Sequence, residues 1–546
     1  MDMKIYKAEE YGIVPGKHCE SELRDFLNSL DGDEEKVIEF KKGDYPLDTS
    51  KFPDCMLYIT NTAGDGEYSA GETPHKSRSP LYFDGIKNLT VEGNGARFLI
   101  WGQATNAVIA ECENIKIKDI EICPVDPNMH ELKVISKGLF YVDYELDSQS
   151  EYEISNGKVW FCGSDYRYNA AHRAKTARYI PCVQVENTDR VMRTLHPLAG
   201  CIKIKEISER KIRAFCLSTA RFKIGDRYYI YDDRRQYAGI FVRDSKNVVL
   251  ERVKQSFNYS LAFVAQNTEN ITLEGVEFAP DKTSGRLIAS LADFVQICMC
   301  RGKVKILNSR FEGAGDDCLN VHGFHFKITH IDGDRITVKF MHPQSHGFNP
   351  LRAGDELAFI DPKTLLECGR AKIIASHLVD EYSIELTIDD ALSAKIGNMI
   401  EDINACPDLL FSGNTVERII TRGLLITTRG KTVVENNHFK SCSMSGILIS
   451  DDAASWYESG LCRDVTIKDN LFDYCGENGV LIKPENTVHA GAVHKNITVT
   501  GNTFKKCEKA CFSIKSSSDI TLSGNLIKDA PEKLKQSNCE NIITDF

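Results

Sequence analysis

A short unit of alternating character recurs along most of the chain: a turn residue, an apolar–polar–apolar run, then Asn or Gly and a second apolar pair. It appears as KNLTVEGNGARFLI from Lys87, ENIKIKDIEI from Glu113, KNVVLERV from Lys246, ENITLEGVEF from Glu269, GKVKILNSRF from Gly302 and GKTVVENNHF from Gly430. Three further copies follow: RDVTIKDNLF from Arg463, KNITVTGNTF from Lys495 and SDITLSGNLI from Ser518. Alternation with a period of two marks strands that bury one face. Equivalent asparagines lie 23 residues apart at Asn247 and Asn270, at Asn414 and Asn437, and at Asn502 and Asn525. The interval grows to 33 from Asn437 to Asn470 and 32 from Asn470 to Asn502, as loops inserted into single turns require. One such coil cannot bury its inward face alone, so a period in the low twenties predicts stacked coils. A leucine-rich-repeat solenoid is the competing reading, but the LxxLxLxxN pattern is absent. The expected fold class is all-β, a right-handed parallel β-helix. Asn308, Asn437, Asn470, Asn502 and Asn525 are assigned to one corner, where stacked amides can bond each other and the turn backbone.

The ends and the interruptions of the pattern add to this frame. SELRDFLNSL from Ser21 sets Leu23, Phe26, Leu27 and Leu30 on one helical face, with Ser21 as N-cap. This predicts an N-terminal capping helix over the first coil, whose edge would otherwise stay open. Two stretches lose the repeat. The first, 132–240, carries KGLFYVDYEL and DRYYIYDD; the second, 324–398, carries FKITHIDGDRITVKFM and GDELAFID. Both predict small antiparallel β-barrel-like domains inserted between coils. The expected organisation is therefore cap and first coils over 1–131, inserted domain over 132–240, coils over 241–323, second inserted domain over 324–398, and C-terminal coils over 399–546.

Candidate chemistry concentrates in GAGDDCLNVHG from Gly313, which holds Asp316, Asp317, Asn320 and His322. Consecutive residues on a regular strand point to opposite faces, but the flanking glycines permit a bend that turns both Asp side chains outward. Asp293 in LADFVQ lies 23 residues before Asp316, one coil by the measured period. Three carboxylates on one face across two coils cannot all ionise freely, so one pKa rises to make a general acid while the others activate a water. That is the equipment of glycosidic hydrolysis. Against it stands the common use of Asp in solenoid turns, where one of a pair caps a bend. The repeat-spaced third Asp favours catalysis. Further along, TRGLLITTRGK brings Arg422 and Arg429 to neighbouring turns, suited to gripping hydroxyls or a carboxylate. SDDAASWYESG interrupts a coil with Asp451, Asp452, Trp456, Tyr457 and Glu458, a composition fit for a pocket wall. Asp451–Asp452 is a rival dyad without a third partner, and Trp101 is read as core packing before sugar platform. No metal-ligand spacing emerges, and neither metal nor cofactor is expected.

Composition narrows the partners. The 546 residues hold 67 Lys and Arg against 78 Asp and Glu, a net charge of −11, which argues against phosphate-backbone binding. An apolar share of 42% supplies a large core, yet no run approaches the ~20 apolar residues of a membrane span. The opening MDMKIYKAEEYG has no apolar stretch after its charges, and 19 scattered cysteines without a CxxC pair read as reduced thiols. A cytoplasmic protein with neither nucleic acid nor membrane as partner is expected; association into a homo-oligomer stays open.

These segments carry a resemblance. LADFVQ with GKVKILNSRFEGAGDDCLNVHG, TRGLLITTRGKTVVENNHF and MSGILISDDAASWYESGLCRDVTIKDNLF together resemble glycoside hydrolase family 110, the α-1,3-galactosidases. The similarity runs from DGIKNLTVEGNGARFLI to the last repeats. The Gly-Asp-Asp core is also similar to family 28 polygalacturonases, whose later Gly-His-Gly is absent here. The resemblance implies an inverting exo-hydrolase that releases terminal α-1,3-linked galactose from an oligosaccharide without metal or cofactor. It implies Asp316 as general acid, Asp293 and Asp317 as the carboxylates that position and deprotonate water, and Asn320, His322, Arg429 and Glu458 as sugar contacts. Arg422, Asp452 and Trp456 complete the expected substrate-binding set. A polysaccharide lyase and a carbohydrate-binding solenoid remain the alternatives from other classes; a hydrolase of another hexoside or a uronide is the alternative within the class.

Overall fold

In KNITVTGNTF, Ile497 and Val499 turn inward and Thr498 and Thr500 outward, and Asn496 and Gly501 take positive φ where the chain turns. Each repeat does the same one level up or down. Val465, Ile497 and Ile520 stand in parallel register, as do Ile467, Val499 and Leu522, so like side chains stack along one continuous core. Phe439, Phe472 and Phe504 form a column with ring centroids 4.6 Å apart at each step. The computed structural model describes residues 3–62, 76–169, 182–185, 190–231 and 235–546. Among these, a 22-stranded sheet and a 12-stranded sheet wind around that core as a parallel β-helix. A typical coil gives one strand to the smaller sheet and two to the larger.

Two amide ladders hold the corners. In the C-terminal half, Asn414 donates to Asn437 at 3.1 Å, Asn437 to Asn470 at 2.9 Å, Asn470 to Asn502 at 2.9 Å and Asn502 to Asn525 at 3.0 Å. Asn308 is not part of it. Ser309 takes that place, donating its backbone N–H to Asn414 Oδ1, while Asn308 occupies the adjoining left-handed turn position that Asp469 holds elsewhere. A second ladder joins Asn88, Asn114, Asn247 and Asn270, with steps of 2.7, 2.7 and 2.9 Å. Its middle step crosses the whole first insertion, so the coil stack continues as though the insertion were absent.

The helix Glu20–Asn28 buries Leu23, Phe26 and Leu27 against the first coil, and Leu30 follows them into the core. Its N-cap is Cys19 rather than Ser21, whose hydroxyl lies in the first turn and bonds Glu22. The first insertion leaves the coils after the strand Glu113–Pro124 and returns before Ala238–Arg243, which pairs directly with Ala107–Ala110. It comprises a seven-stranded antiparallel sheet and a three-stranded one. The second leaves after Leu319–Phe324 and forms a closed six-stranded barrel from Phe326–Asp332 to Met399–Asp402. Trp101 ends the strand Lys87–Trp101, half-buried, with its ring centroid 6.4 Å from that of His18. All described cysteines are free thiols, most of them buried, and Cys442, Cys475 and Cys507 stack at one inner corner. Among the described residues, no helix is long and apolar enough to cross a membrane.

Candidate active site

The strands Val295–Cys298, Leu319–Phe324, Leu424–Thr427 and Ile447–Ile449 lie side by side in the smaller sheet, with Gln296, Asn320, Leu425 and Leu448 in one outward row. Asp293 stands just before the first strand, Asp316 and Asp317 before the second, and Thr421 and Arg422 before the third. Neighbouring corners therefore deliver all of them to one place. Gly313 and Gly315 make the corner possible: a Cβ on either would lie within 2.2 Å of Leu287 O or 2.1 Å of Leu291 O. The expected bend is thus a close backbone approach between coils that only glycine allows.

The three aspartates offer carboxylate oxygens within 4.8 Å of one another on the floor of an open cleft of about 640 Å³. Asp293 Oδ1 accepts the backbone N–H of Asp317 at 3.1 Å. Asp317 is buried and engaged on both oxygens: Oδ1 accepts the Thr421 hydroxyl and the Arg422 N–H, and Oδ2 accepts the Arg422 guanidinium. Asp316 is the most accessible, its side chain 18% exposed against 2% for Asp317, and it faces the guanidinium of Arg235. Burial, then the charges of Asp316 and Asp317, push the Asp293 carboxyl well above the usual carboxylate range, only partly opposed by Arg235 and Arg422. Burial likewise raises Asp317 against the pull of Arg422. The cluster therefore holds a proton to higher pH than an isolated carboxylate would, and its members titrate together. Its oxygens are close enough for a divalent cation to bridge, but Arg235 and Arg422 already supply the positive charge that two of the three face.

Around this floor the structure sorts the other expected contacts. Asn320 lines the cleft and donates to Glu458 Oε1 at 2.9 Å, and Arg422 also lines it. Asp452 lines the cleft while accepting the N–H groups of Ala454, Ser455 and Trp456 at 2.8, 3.0 and 2.6 Å, so it builds the wall that carries Trp456. Trp456 borders the cleft with 38% of its surface exposed. Two expected contacts are not brought to the cleft. His322 is buried beneath it, with Nδ1 donating to Gly323 O at 2.9 Å and Nε2 accepting from Gln296 at 2.7 Å, and sits 3.8 Å from Glu458. Arg429 faces the barrel, forked onto Glu401 at 3.0 and 2.8 Å and reaching Glu367 at 3.2 Å, because the inserted barrel covers its coil there. The rival Asp451 is fully buried, bonded to His325 at 2.8 Å and to Gly460 N–H at 3.1 Å, and has no access to the cleft.

Sequence reasoning missed Arg235, Asn61, Ser450, Glu485 and the apolar pair Leu425 and Leu448, which also line the cleft. Leu425 and Leu448 had a signal, since the repeat places them above Asn320. Arg235 and Asn61 lie outside the repeat and carry none.

Residues 335–399 match the family described as GLAA-B beta-barrel domain II, and residues 397–527 match the family described as right handed beta helix region. Over 510 residues the chain is 32% identical to the alpha-1,3-galactosidase A of Bacteroides thetaiotaomicron, covering 92% of this chain and 88% of that protein. It is 30% identical over 533 residues to the alpha-1,3-galactosidase A of Bacteroides fragilis, covering 95% and 86%. With the alpha-1,3-galactosidase B of Phocaeicola vulgatus it shares 28% identity over 561 residues, covering 96% and 90%. Likeness at this level across nearly the whole of each chain, on a right-handed parallel β-helix with an inserted barrel, means that the chain belongs to the α-1,3-galactosidase family of glycoside hydrolases.

Proposed function

We propose that this protein is an exo-acting hydrolase that releases terminal α-1,3-linked galactose from oligosaccharides with inversion at the anomeric carbon. The observation that carries the reading is the cluster of Asp293, Asp316 and Asp317, with oxygens within 4.8 Å of one another on the floor of an open cleft. One water can donate to two carboxylates at that spacing through bonds of about 2.7 Å each. Asp293 and Asp317 hold that water and accept its proton as its oxygen attacks the anomeric carbon. Asp316, on the accessible side, gives a proton to the glycosidic oxygen as the bond to the aglycone breaks. The mutual repulsion of the three groups keeps one shared proton in the cluster; in the reactive form it sits on Asp316, leaving Asp293 ionised to accept the proton of the water.

The charges of the cleft favour a neutral sugar over a uronide. Asp293, Asp316, Asp317, Asp452, Glu458 and Glu485 surround it, and Arg235 and Arg422 both already face carboxylates. A substrate carboxylate would meet net repulsion there.

The spacing of the oxygens is shorter than the ~6.5–9.5 Å common between the acid and base of inverting enzymes and nearer the ~5–5.5 Å of retaining ones. That favours, as a second reading, a double displacement through a covalent intermediate. Asp317, tied at both oxygens, is poorly placed as a nucleophile, so Asp293 would have to serve. Product analysis by NMR on an α-1,3-galactoside decides between them. β-Galactose appearing first supports inversion, α-galactose first supports retention, and no galactose from any α-galactoside would overturn the assignment. An unsaturated, ultraviolet-absorbing product would instead indicate a lyase.

A further inference from the structure

The loop that bears Trp456 is tied down at both feet. At its start Asp452 caps the turn and donates its own N–H to Glu458 O at 3.0 Å; at its end Glu458 and Ser459 pair antiparallel with Phe324 and Gly323. His325 N–H reaches Tyr457 O at 2.8 Å, and Tyr457 holds a positive φ of 59°. These contacts place the backbone but leave the indole to be placed by something else. His342, from the inserted barrel, stacks on it with ring centroids 4.5 Å apart and an interplanar angle of 22°. One imidazole edge is fixed in turn, since Nδ1 accepts the Gln344 N–H at 3.3 Å. Burial, with the nearby His322 and Arg235, lowers the His342 pKa to about 4, so at neutral pH the ring is an uncharged stacking partner. The indole thus has one face on His342 and part of its surface on the cleft.

We infer that His342 is a positioning residue: it holds the Trp456 indole as a platform for the apolar face of the terminal hexopyranose, so that the inserted barrel sets how tightly the sugar is held. This rests on the hydrolase reading above. Aromatic platforms bind sugars through C–H contacts with one ring face, and a platform that rocks loses that contact without disturbing the carboxylates that do the chemistry. The carboxylate floor comes from the coils alone, and the platform from a coil loop braced by the barrel, so binding and turnover are separable.

The test is steady-state kinetics of His342→Ala, His342→Phe and Trp456→Ala on an α-1,3-galactoside, with indole fluorescence of each protein. The expected result for His342→Ala is a KM raised about 5- to 10-fold with kcat within about twofold, restored by His342→Phe. The double variant His342→Ala/Trp456→Ala should be no worse than Trp456→Ala alone, because both remove one platform. The chain has three tryptophans, so loss of the stack should also shift emission in His342→Ala and not in a Trp456→Phe background. An unchanged KM in His342→Ala, failure of Phe to restore it, or additive effects in the double variant would each overturn the inference. If the unaltered protein cleaves no galactoside, the hydrolase reading fails on its own, and an unshifted emission in His342→Ala would then overturn the inference separately.

Discussion

Asp293, Asp316 and Asp317 differ less in chemistry than in what surrounds each carboxyl. Asp317 is held by Thr421 and Arg422, Asp293 is buried and shifted upward by its neighbours, and Asp316 meets the cleft. Substitution Asp316→Asn preserves shape and should leave the melting temperature within a few degrees while lowering kcat by about 10³-fold, read in a galactose-release assay. The pH dependence follows from the raised carboxyl. With pH rising, the cluster loses its last proton and kcat falls on the alkaline side. Asp293→Asn removes a negative charge that helps the cluster keep this proton, so the alkaline limb in the residual activity of that variant should move to lower pH. A profile identical to that of the unaltered protein would count against a shared proton. The three positions were legible because a period of 23 puts Asp293 and Asp316 on adjacent coils, where strand stacking brings them together. Arg235 was not: it reaches Asp316 from the end of an insertion whose path no repeat describes.

The coils and their ladders were equally legible, and their energetics are testable. Asn470 accepts the N–H and side-chain amide of Asn437 at 3.0 and 2.9 Å and gives its own amide to Asn502, Val434 O and Lys468 O at 2.9 Å each. Asn470→Ala strands these buried partners and should cost about 2–4 kcal/mol of stability, seen as a lower denaturation midpoint. Galactoside turnover well below the melt should hardly change, since the ladder stabilises a corner of the larger sheet and the carboxylates precede strands of the smaller one. Two local readings were displaced by one or two residues, and each for a physical reason. Asn308 adopts a left-handed turn that a side-chain amide tolerates, which moves Ser309 to the ladder corner. The helix begins at Glu20 because its carboxylate accepts the Asp48 N–H at 2.8 Å, a contact between segments that local pattern does not contain.

Between the insertions and the coils lie buried charges that make the assembly pH-sensitive. Glu131, in the first insertion, accepts the N–H groups of Leu287 and Ile288 at 2.8 and 3.3 Å, on the segment leading to Asp293. Burial raises its pKa to about 7. A folded-state carboxyl raised in this way contributes fully below the ordinary carboxylate pKa near 4.3 and loses that contribution as pH climbs through about 7. Relative to Glu131→Gln, which stays neutral, the unaltered protein should therefore lose about 2 kcal/mol between pH 5 and pH 8 in urea unfolding. An equal pH dependence of the two proteins would show that this joint does not titrate. The second joint, where Arg301 bonds Asp355 at 2.7 Å and Asp402 at 2.9 Å, pins the barrel to the coils in the same manner.

The repeat alone determines that coils stack, which faces are buried and which carboxylates become neighbours, because in a solenoid a fixed period converts directly into spatial contact. It does not determine where the insertions lean. Arg429 was expected at the sugar and instead lies forked on Glu401, and His322 supports the floor from below, because the barrel and the Trp456 loop cover surface that an uninterrupted coil would expose. Asn61 and Arg235 reach the cleft, and His342 reaches Trp456 at its border, from segments far away in sequence, and contacts of that kind exist only once the insertions have packed against the coils.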